Sequence, residues 1–318
     1  MGMSALRTLI WGPRPLRPRL LKAMAEISVT PMRDYLNILN QNYTLHVKST
    51  KGETVELKLD NANHLFQLLE LQSFGIKFSS YDPDQGLIFL NLYGDAFCIR
   101  PKGYHIEGLL HMFRDKIYGE DFQDAYVLDI GAFTGDSAIS FAKWGAGKVV
   151  AIEPSPSVLD ILKANLNNSR FRDKIDILPV AVSDYDGSTT LLINESLEGA
   201  EYLSDFHGSS FYDKIFNYDS KNFAKVDTWS FKHLIEYTGG EVDIVKLDCK
   251  GAEYPILLNT EADILRLVKR YIVAYHAGPE RLVARLEELG YKTRIQPAAP
   301  GHERLFPTAG TLFADRQK

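Results

Sequence analysis

Three carboxylates and two glycines, spaced along two short apolar runs, form the part of the chain best suited to bind a nucleotide. They are, in chain order, Asp129, Gly131, Gly135, Asp136 and Glu153. Apolar runs, glycines and acids in this order are typical of a strand, a glycine turn, a helix and a second strand, which form half of a nucleotide-binding βαβ unit. The glycines let the backbone turn sharply and approach a ligand closely. Glu153 follows the second run, where a carboxylate can accept both hydroxyls of a ribose.

The glycine turn differs from a dinucleotide fingerprint. That fingerprint, G-x-G-x-x-G, brings backbone amides onto a pyrophosphate, whereas here Phe133 occupies the middle glycine position and Asp136 the last. Asp129 and Asp136 flank the turn and would repel a pyrophosphate, so they favour a cofactor with no phosphate and a cationic end. S-adenosylmethionine (SAM), with its ammonium and sulfonium, is such a cofactor. Two alternatives stay open: an NAD-type ligand, and a purely structural turn in which Asp136 caps a helix.

Composition and length describe an ordinary globular chain. Its 318 residues permit one large domain or a medium domain with an appendage. The net charge of -5 argues against a general nucleic-acid binder, whose surface is usually basic. Cys98 and Cys249 lie in apolar runs and are predicted to be buried thiols, so we expect a cytoplasmic chain without disulfides. No apolar run reaches the length of a membrane-spanning helix, and we assign no residues to a metal.

The chain ahead of the βαβ unit divides into a basic segment and a mixed region. Residues 1–24 carry only basic charges, ahead of the first acid. We interpret them as a basic tail that is either flexible or docked on the protein. Weak contact with a membrane surface is the alternative role for this tail. Residues 25–122 are predicted to form a small α+β cap. A role in shaping the acceptor pocket is one interpretation of this region. Its predicted helices are 32–39, 64–74 and 108–118, and its predicted strands are 53–59 and two within 86–100.

Residues 123–318 alternate strands and helices as a doubly wound α/β sheet does. Strands are predicted at 125–130, 148–153, 175–182, 242–249 and 270–276, followed by a hairpin of 291–296 and 311–315. Helices are predicted at 136–144, 157–167, 228–237 and 279–289. Ligands of such sheets bind outside the carboxyl ends of the strands. Asp248 and His276, which end two of the predicted strands, are therefore expected at the same edge as the glycine turn.

By these motifs, residues 126–291 resemble the FkbM family of SAM-dependent methyltransferases. The matching segments are VLDIGAFTGDS, AIEPSPSVLDILKANL, DILPVAVSD, and VDIVKLDCKGAEYPIL ahead of a strand ending in Tyr275 and His276. The resemblance implies a class I methyltransferase fold, in which a seven-stranded sheet has an antiparallel last strand. It also implies O-methylation, often of a sugar or polyketide hydroxyl.

The resemblance also implies roles for individual residues. By position, Asp129, Gly131 and Gly135 take the methionine end of SAM, next to Asp136, and Glu153 takes its ribose. Val182 and Ser183, at a strand end, approach the adenine.

The sequence departs from the family pattern at two positions near the expected acceptor. Where the family usually reads D-V-E-G-A-E, this chain reads DCKGAE, so Lys250 replaces an acid. Where the next strand commonly has a glutamate two residues before its histidine, this chain has Ala274. Lys250 either pairs with Glu253, three positions later, or recognises an acidic acceptor such as a uronic acid or a phosphate. The departures leave the substrate open.

Asp248 and His276 are the residues expected to act near the acceptor. A hydroxyl is a poor nucleophile while protonated, so its methylation gains from in-line alignment with the methyl group and from a general base. We predict His276 as that base; the alternative is a structural histidine. Asp248 is predicted as a site residue, and its alternatives are to cap the following turn or to hold the SAM amine.

A long aromatic-rich stretch, residues 197–223, is interpreted as a lid that stacks on a sugar acceptor. The alternative is a loop that folds its own aromatic rings onto the sheet. The leading prediction is a SAM-dependent O-methyltransferase acting on a hydroxyl of a sugar, glycan or small metabolite. An RNA methyltransferase and a SAM-binding protein without catalysis are the alternatives, and the oligomeric state is not predicted.

Overall fold

A computed structural model describes most of the chain and resolves it into two compact units. The described residues are 16–39, 42–59, 62–101, 104–192, 202–203, 223–298 and 308–317. The first unit consists mainly of residues up to Asp115, and the second mainly of residues from Lys116 onward. All the candidate site residues belong to the second unit.

The first unit combines helices with two small antiparallel sheets. Its helices are α1 (Leu16–Ile27), α2 (Pro31–Leu39), α3 (Ala62–Leu71) and α4 (Tyr104–Phe113). Its strands are β1 (Thr44–Lys48), β2 (Thr54–Lys58), β3 (Lys77–Asp82), β4 (Leu87–Leu92) and β5 (Asp95–Ile99). Strands β1 and β2 form one sheet and β3, β4 and β5 the other. Residues 16–24 of the predicted basic tail lie in helix α1.

Two predictions for this unit need correction. The helix predicted at 108–118 is wrong in position, because α4 ends at Phe113 and the chain turns through Lys116, which has a positive φ of 50°. The helix predicted at 64–74 is α-helical only to Leu71 and ends in a turn of 3₁₀ helix. Strands β1 and β3 were missed; β1 is buried on both faces along most of its length, so it lacks the alternation that marks a strand.

The second unit is built on a seven-stranded sheet. Its strands in chain order are β6 (Tyr126–Ile130), β7 (Lys148–Ile152), β8 (Ile175–Leu178), β13 (Val242–Leu247), β14 (Val268–Tyr275), β15 (Tyr291–Pro297) and β16 (Gly310–Arg316). In space they follow the order β15-β16-β14-β13-β6-β7-β8. The strands that pair in parallel are β6, β7, β8, β13 and β14, and β16 is antiparallel to both of its neighbours, β14 and β15. The predicted α/β fold, with an antiparallel last strand, is confirmed.

Helices and a second sheet flank this central sheet. The helices are α5 (Asp136–Lys143), α6 (Pro156–Asn168), α7 (Phe231–Tyr237), α8 (Glu253–Asn259), α9 (Ala262–Leu265) and α10 (Glu280–Glu288). Leu282 and Leu286 show why α10 forms, since they lie one turn apart on one face and are both fully buried. A four-stranded sheet of β9 (Ala181–Ser183), β10 (Gly187–Leu192), β11 (Tyr202–Leu203) and β12 (Phe223–Ser230) has the order β11-β10-β12-β9.

The single strand predicted at 175–182 is wrong. The chain leaves the seven-stranded sheet at Leu178, ahead of Pro179. It then joins the smaller sheet as β9, which pairs in parallel with β12. The predicted helix 228–237 begins three residues later, at Phe231, because Thr228–Ser230 finishes β12. The Ser230 hydroxyl then accepts a hydrogen bond from the His233 amide and caps α7.

Three remaining predictions concern the lid, the cysteines and membrane crossing. Apart from Tyr202, Leu203 and Phe223, the proposed lid at 197–223 lies outside the described residues. Both cysteines are free thiols, and Cys98 is buried as predicted, but Cys249 is only half-buried because it lies in the turn after β13. None of the described helices has the length and apolar character needed to cross a membrane.

Candidate active site

The glycine turn between β6 and α5 is held by contacts within the protein. Gly131 and Gly135 have positive φ values of 80° and 87°, a conformation that favours glycine. A Cβ atom on Gly131 would collide with the main-chain carbonyl of Asp248, and one on Gly135 would lie 2.7 Å from a methyl group of Leu162. The glycines therefore allow close packing against β13 and α6, in addition to the approach of a ligand that the sequence suggested.

A buried ion pair joins the central strands directly below this turn. Asp129 is fully buried; its Oδ2 accepts a hydrogen bond from the Ser137 hydroxyl at 2.6 Å, and its Oδ1 lies 2.9 Å from Nζ of Lys246. Lys246 occupies the neighbouring position on β13 and also donates to the Gly131 carbonyl at 2.6 Å. Burial would lower the pKa of Lys246, but the carboxylates of Asp129 and Asp248 outweigh it and raise the pKa. Asp129 thus anchors the turn through its bond to Ser137 and its ion pair with Lys246, although Oδ1 accepts no hydrogen bond.

Lys246 was missed by the sequence analysis. The signal was a lysine inside the apolar run VDIVKL, since a buried lysine almost always has a charged partner. The partner itself could not be read from the sequence, because it lies on another strand.

Asp136 begins helix α5 and is nearly buried. The Thr134 hydroxyl donates to its Oδ1 at 3.3 Å. Burial raises the pKa of Asp136 to about 6, with a further contribution from Asp129, although the Lys246 ammonium acts in the opposite direction. A carboxyl group in this state would be stabilised in its ionised form by a cationic ligand.

Glu153 follows strand β7 and ties two backbone segments together. Its Oε2 accepts a hydrogen bond from the Phe133 amide and its Oε1 one from the Ser155 amide, both at 2.9 Å. Phe133 belongs to the glycine turn, so the carboxylate is fixed at the edge of the sheet where that turn lies. A carboxylate oxygen can accept two hydrogen bonds, so an oxygen bonded to an amide can also accept one from a hydroxyl.

Val182 and Ser183 lie in a different sheet from these residues. They belong to β9 and pair with Trp229 and Ser230 of β12, and both are buried. The strand that ends beside β7 is β8, and its last residue is Leu178. Contact of Val182 and Ser183 with adenine stays a prediction.

On the other side of the glycine turn, Asp248 follows β13 and collects several donors. The Tyr118 hydroxyl donates to its Oδ2 at 2.8 Å, and Nζ of Lys250 donates to its Oδ1 at 2.9 Å. Burial alone would raise the pKa of Asp248, but the ammonium groups of Lys250 and Lys246 lower it below its usual range. Asp248 is therefore an anion. Burial, and then this charge, raise the pKa of its hydrogen-bond partner Tyr118 well above 10.0. Tyr118 was missed in the sequence.

Lys250, the residue that departs from the family pattern, has a positive φ of 50° and forms its ion pair with Asp248. The pairing with Glu253 that the sequence suggested is therefore replaced by one with Asp248. The same Nζ lies 3.4 Å from Nε2 of His276. Lys250 thus joins the ends of β13 and β14.

His276 follows β14 and contacts Glu253, the first residue of α8. The distance from its Nδ1 to Oε1 of Glu253 is 2.9 Å, and Oε2 of Glu253 accepts a hydrogen bond from the Gly251 amide at 2.7 Å. Glu253 is fully buried, and Nε2 of His276 lies 3.7 Å from Oδ1 of Asp248. The structure therefore brings together the predicted residues Asp248, Lys250 and His276. It adds Glu253, which the sequence analysis did not assign to the site although it ends the DCKGAE motif.

A comparison with known protein families identifies the family of the chain. Residues 129–293 match the model of the methyltransferase FkbM domain. The chain belongs to the FkbM family of methyltransferases. No curated protein matches the sequence.

Several solved structures are similar at low identity. Methyltransferase FkbM from Methylobacillus flagellatus KT is 13% identical with a TM-score of 0.40, and the match covers 98% of this chain and 60% of that one. Trm5 from Methanocaldococcus jannaschii, in complex with adenosine, is 13% identical with a TM-score of 0.39, covering 74% and 56%. Magnesium protoporphyrin IX methyltransferase from Synechocystis PCC 6803, with bound SAM, is 12% identical with a TM-score of 0.33, covering 66% and 77%.

Proposed function

We propose that the protein is a SAM-dependent O-methyltransferase that acts on a hydroxyl group of a sugar, glycan or small metabolite. One observation carries this proposal: carboxylates suited to the cofactor, and a carboxylate and a histidine suited to the acceptor, follow neighbouring parallel strands of one sheet. Asp136 and Glu153 lie after β6 and β7, and Asp248 and His276 lie after β13 and β14. Carboxyl ends of such strands form the binding edge of doubly wound sheets.

The residues present fit SAM better than a dinucleotide. Asp136 and the backbone of the glycine turn would hold its methionine end, where the ammonium meets a buried carboxyl, and Glu153 would hold the ribose hydroxyls. When bound, SAM supplies an activated methyl group whose leaving group is a neutral thioether. Asp136 beside the turn would oppose the negative charge of a pyrophosphate, and Phe133 replaces the glycine that would let the backbone reach it.

On the acceptor side, His276 would take the proton of the hydroxyl. A general base is typically worth about 10²–10⁴ in rate, provided that it lies within hydrogen-bond reach of that proton. Asp248 and Lys250 border Nε2 of His276, at 3.7 and 3.4 Å, so they would position the acceptor and keep its hydroxyl beside this atom.

The Asp248–Lys250 ion pair also bears on the charge of the acceptor. The Lys250 ammonium is compensated by a carboxylate at 2.9 Å, so it presents little net positive charge to a ligand. This pairing supports a neutral hydroxyl acceptor over an acidic sugar or a phosphate.

The test is methyl transfer by the purified protein to a panel of neutral sugars, glycans, hydroxylated metabolites and RNA, followed as S-adenosylhomocysteine formed. We expect turnover with a neutral hydroxyl compound, and we expect His276→Ala to lower kcat about 10²–10⁴-fold while the affinity for SAM is kept. His233→Ala is a matched control, because that histidine is exposed on α7 and pairs with Asp186.

Two results would contradict the proposal. Transfer to RNA alone would identify an RNA methyltransferase. Tight binding of SAM without transfer to any member of the panel would favour a binding protein that does not catalyse.

A further inference from the structure

The two nitrogens of His276 face groups with opposite hydrogen-bonding capacity. Nδ1 lies 2.9 Å from a carboxylate oxygen of Glu253, which accepts hydrogen bonds. Nε2 lies 3.4 Å from the ammonium of Lys250, which only donates them, while Oδ1 of Asp248, at 3.7 Å, lies beyond hydrogen-bond distance. A neutral imidazole carries its proton on one nitrogen, and the bond made by each nitrogen decides which.

Both neighbours select the same tautomer. A proton on Nδ1 lets the ring donate to Glu253 and lets Nε2 present its lone pair toward Lys250 and the acceptor side of the site. A proton on Nε2 would instead point at an ammonium and place the Nδ1 lone pair against a carboxylate. The second arrangement has two repulsive contacts where the first has two attractive ones.

Glu253 is itself held so that it cannot turn away. It is fully buried at the start of α8, and its second oxygen accepts the Gly251 amide at 2.7 Å. The Cys249 thiol lies 3.7 Å from the same oxygen. The contacts of Oε2 therefore fix the orientation of the carboxylate, and Oε1 faces the imidazole.

We propose that Glu253 is a positioning residue for methyl transfer, which holds His276 as the Nδ1-protonated tautomer so that Nε2 is the proton acceptor. The inference rests on the proposed function for its catalytic meaning, but the tautomer can be observed without an acceptor. In the transfer, Nε2 would take the hydroxyl proton, and bound SAM would supply the methyl group to that oxygen and keep the electron pair of the broken bond as a neutral thioether. The imidazolium formed then donates from Nδ1 to the Glu253 carboxylate, which stabilises its charge.

The first experiment reads the tautomer in the wild-type protein. Histidine is labelled with ¹⁵N, and long-range ¹H–¹⁵N correlations are recorded near pH 9, where an ordinary imidazole is neutral. The His276 signals are assigned by their loss in His276→Gln. We expect Nδ1 to be protonated and Nε2 to be unprotonated. A protonated Nε2, in either a neutral or a charged ring, would overturn the proposal.

The second experiment uses Glu253→Gln, which keeps the size of the side chain. The Gly251 amide requires an acceptor, so the new amide oxygen stays on that side and the NH₂ group faces Nδ1. The ring is then driven to the Nε2-protonated tautomer, and the same spectra should show the change. Replacing an orienting carboxylate by its amide in a catalytic triad lowers kcat by about 10⁴ through the wrong tautomer. Because Glu253 acts through His276, we expect a loss in kcat no larger than that of His276→Ala, about 10²–10⁴-fold, with KM for SAM unchanged.

Glu288→Gln, an exposed substitution on α10, is the control and should leave both spectra and turnover as in the wild type. Unchanged His276 signals in a folded Glu253→Gln protein would sink the assignment of Glu253. Should that variant fail to fold, the wild-type spectrum still decides. Should the wild type transfer no methyl group, the tautomer is still measurable, so failure of the proposed function and failure of this inference are distinguishable.

Discussion

At the scale of single residues, the site separates acids that look equivalent in the sequence. Asp129 and Asp136 flank the same turn, yet Asp129 is committed to Ser137 and Lys246 whereas Asp136 makes a longer bond to Thr134. Asp129 therefore supports the turn, and contact of Asp129 or Asp136 with the methionine end of SAM stays a prediction. Sequence spacing placed both acids beside the turn but could not show this division of roles.

Glu153 gives the sharpest test of the cofactor side. In Glu153→Gln the side chain keeps one oxygen for a backbone amide but loses the negative charge and the second acceptor. A hydrogen bond to a charged group contributes about 1.5–3 kcal/mol, so we expect the affinity for S-adenosylhomocysteine to fall about 10–100-fold, measured by calorimetry. Asp160→Asn, on the exposed side of α6, should bind as the wild type does. Unchanged affinity in Glu153→Gln would remove Glu153 from the ribose site.

At the scale of elements, the Asp129–Lys246 pair joins β6, β13 and the glycine turn. Lys246→Met leaves a buried carboxylate without its counter-charge, and breaking such a pair costs about 3–5 kcal/mol. We expect a loss of that size in the free energy of unfolding by urea. The double variant Asp129→Asn, Lys246→Met should recover most of the loss, because no uncompensated charge remains.

If the two single effects simply added in the double variant, the residues would not interact and this account of the turn would be wrong. A recovery of stability without recovery of SAM affinity would show that the pair also sets the geometry of the turn.

The elements themselves were predictable to different degrees. Unbroken apolar runs predicted strands β6, β7, β13 and β14. The leucine spacing, and the glycine after it, predicted helix α10. The division of 175–182 into β8 and β9 was not predictable, because it depends on pairing with β12, a strand more than forty residues later whose sequence shows no strong alternation. The contact of Glu253 with His276 was missed for a similar reason, since it joins the start of α8 to the residue after β14, and only the finished sheet brings these together.

At the scale of the whole molecule, Asp136 makes stability depend on pH. Its pKa is raised from 3.8 to about 6, so the native state binds this proton more tightly than the unfolded chain does. The resulting stability is complete below pH 3.8 and is lost as pH rises through about 6, a change of ~3 kcal/mol at most. Asp136→Asn removes this dependence, so we expect the variant to be more stable than the wild type by about 1–3 kcal/mol at pH 8 and by less at pH 5.

The measurement is the difference in unfolding free energy between variant and wild type at the two pH values, which cancels the titration of all other groups. Asp173→Asn, at an exposed position, is the control. A variant that is equally destabilised at both pH values would show that Asp136 acts through packing or capping and not through its charge.

Strand β16 lies between β14 and β15 although it is the last of the three to be synthesised. Until β16 has joined the sheet, β14 carries an edge whose backbone N–H and C=O groups have no ladder to join. Unpaired edges of this kind template association with other chains. Folding thus includes an interval in which chaperones that cover strand edges would raise the yield of folded protein.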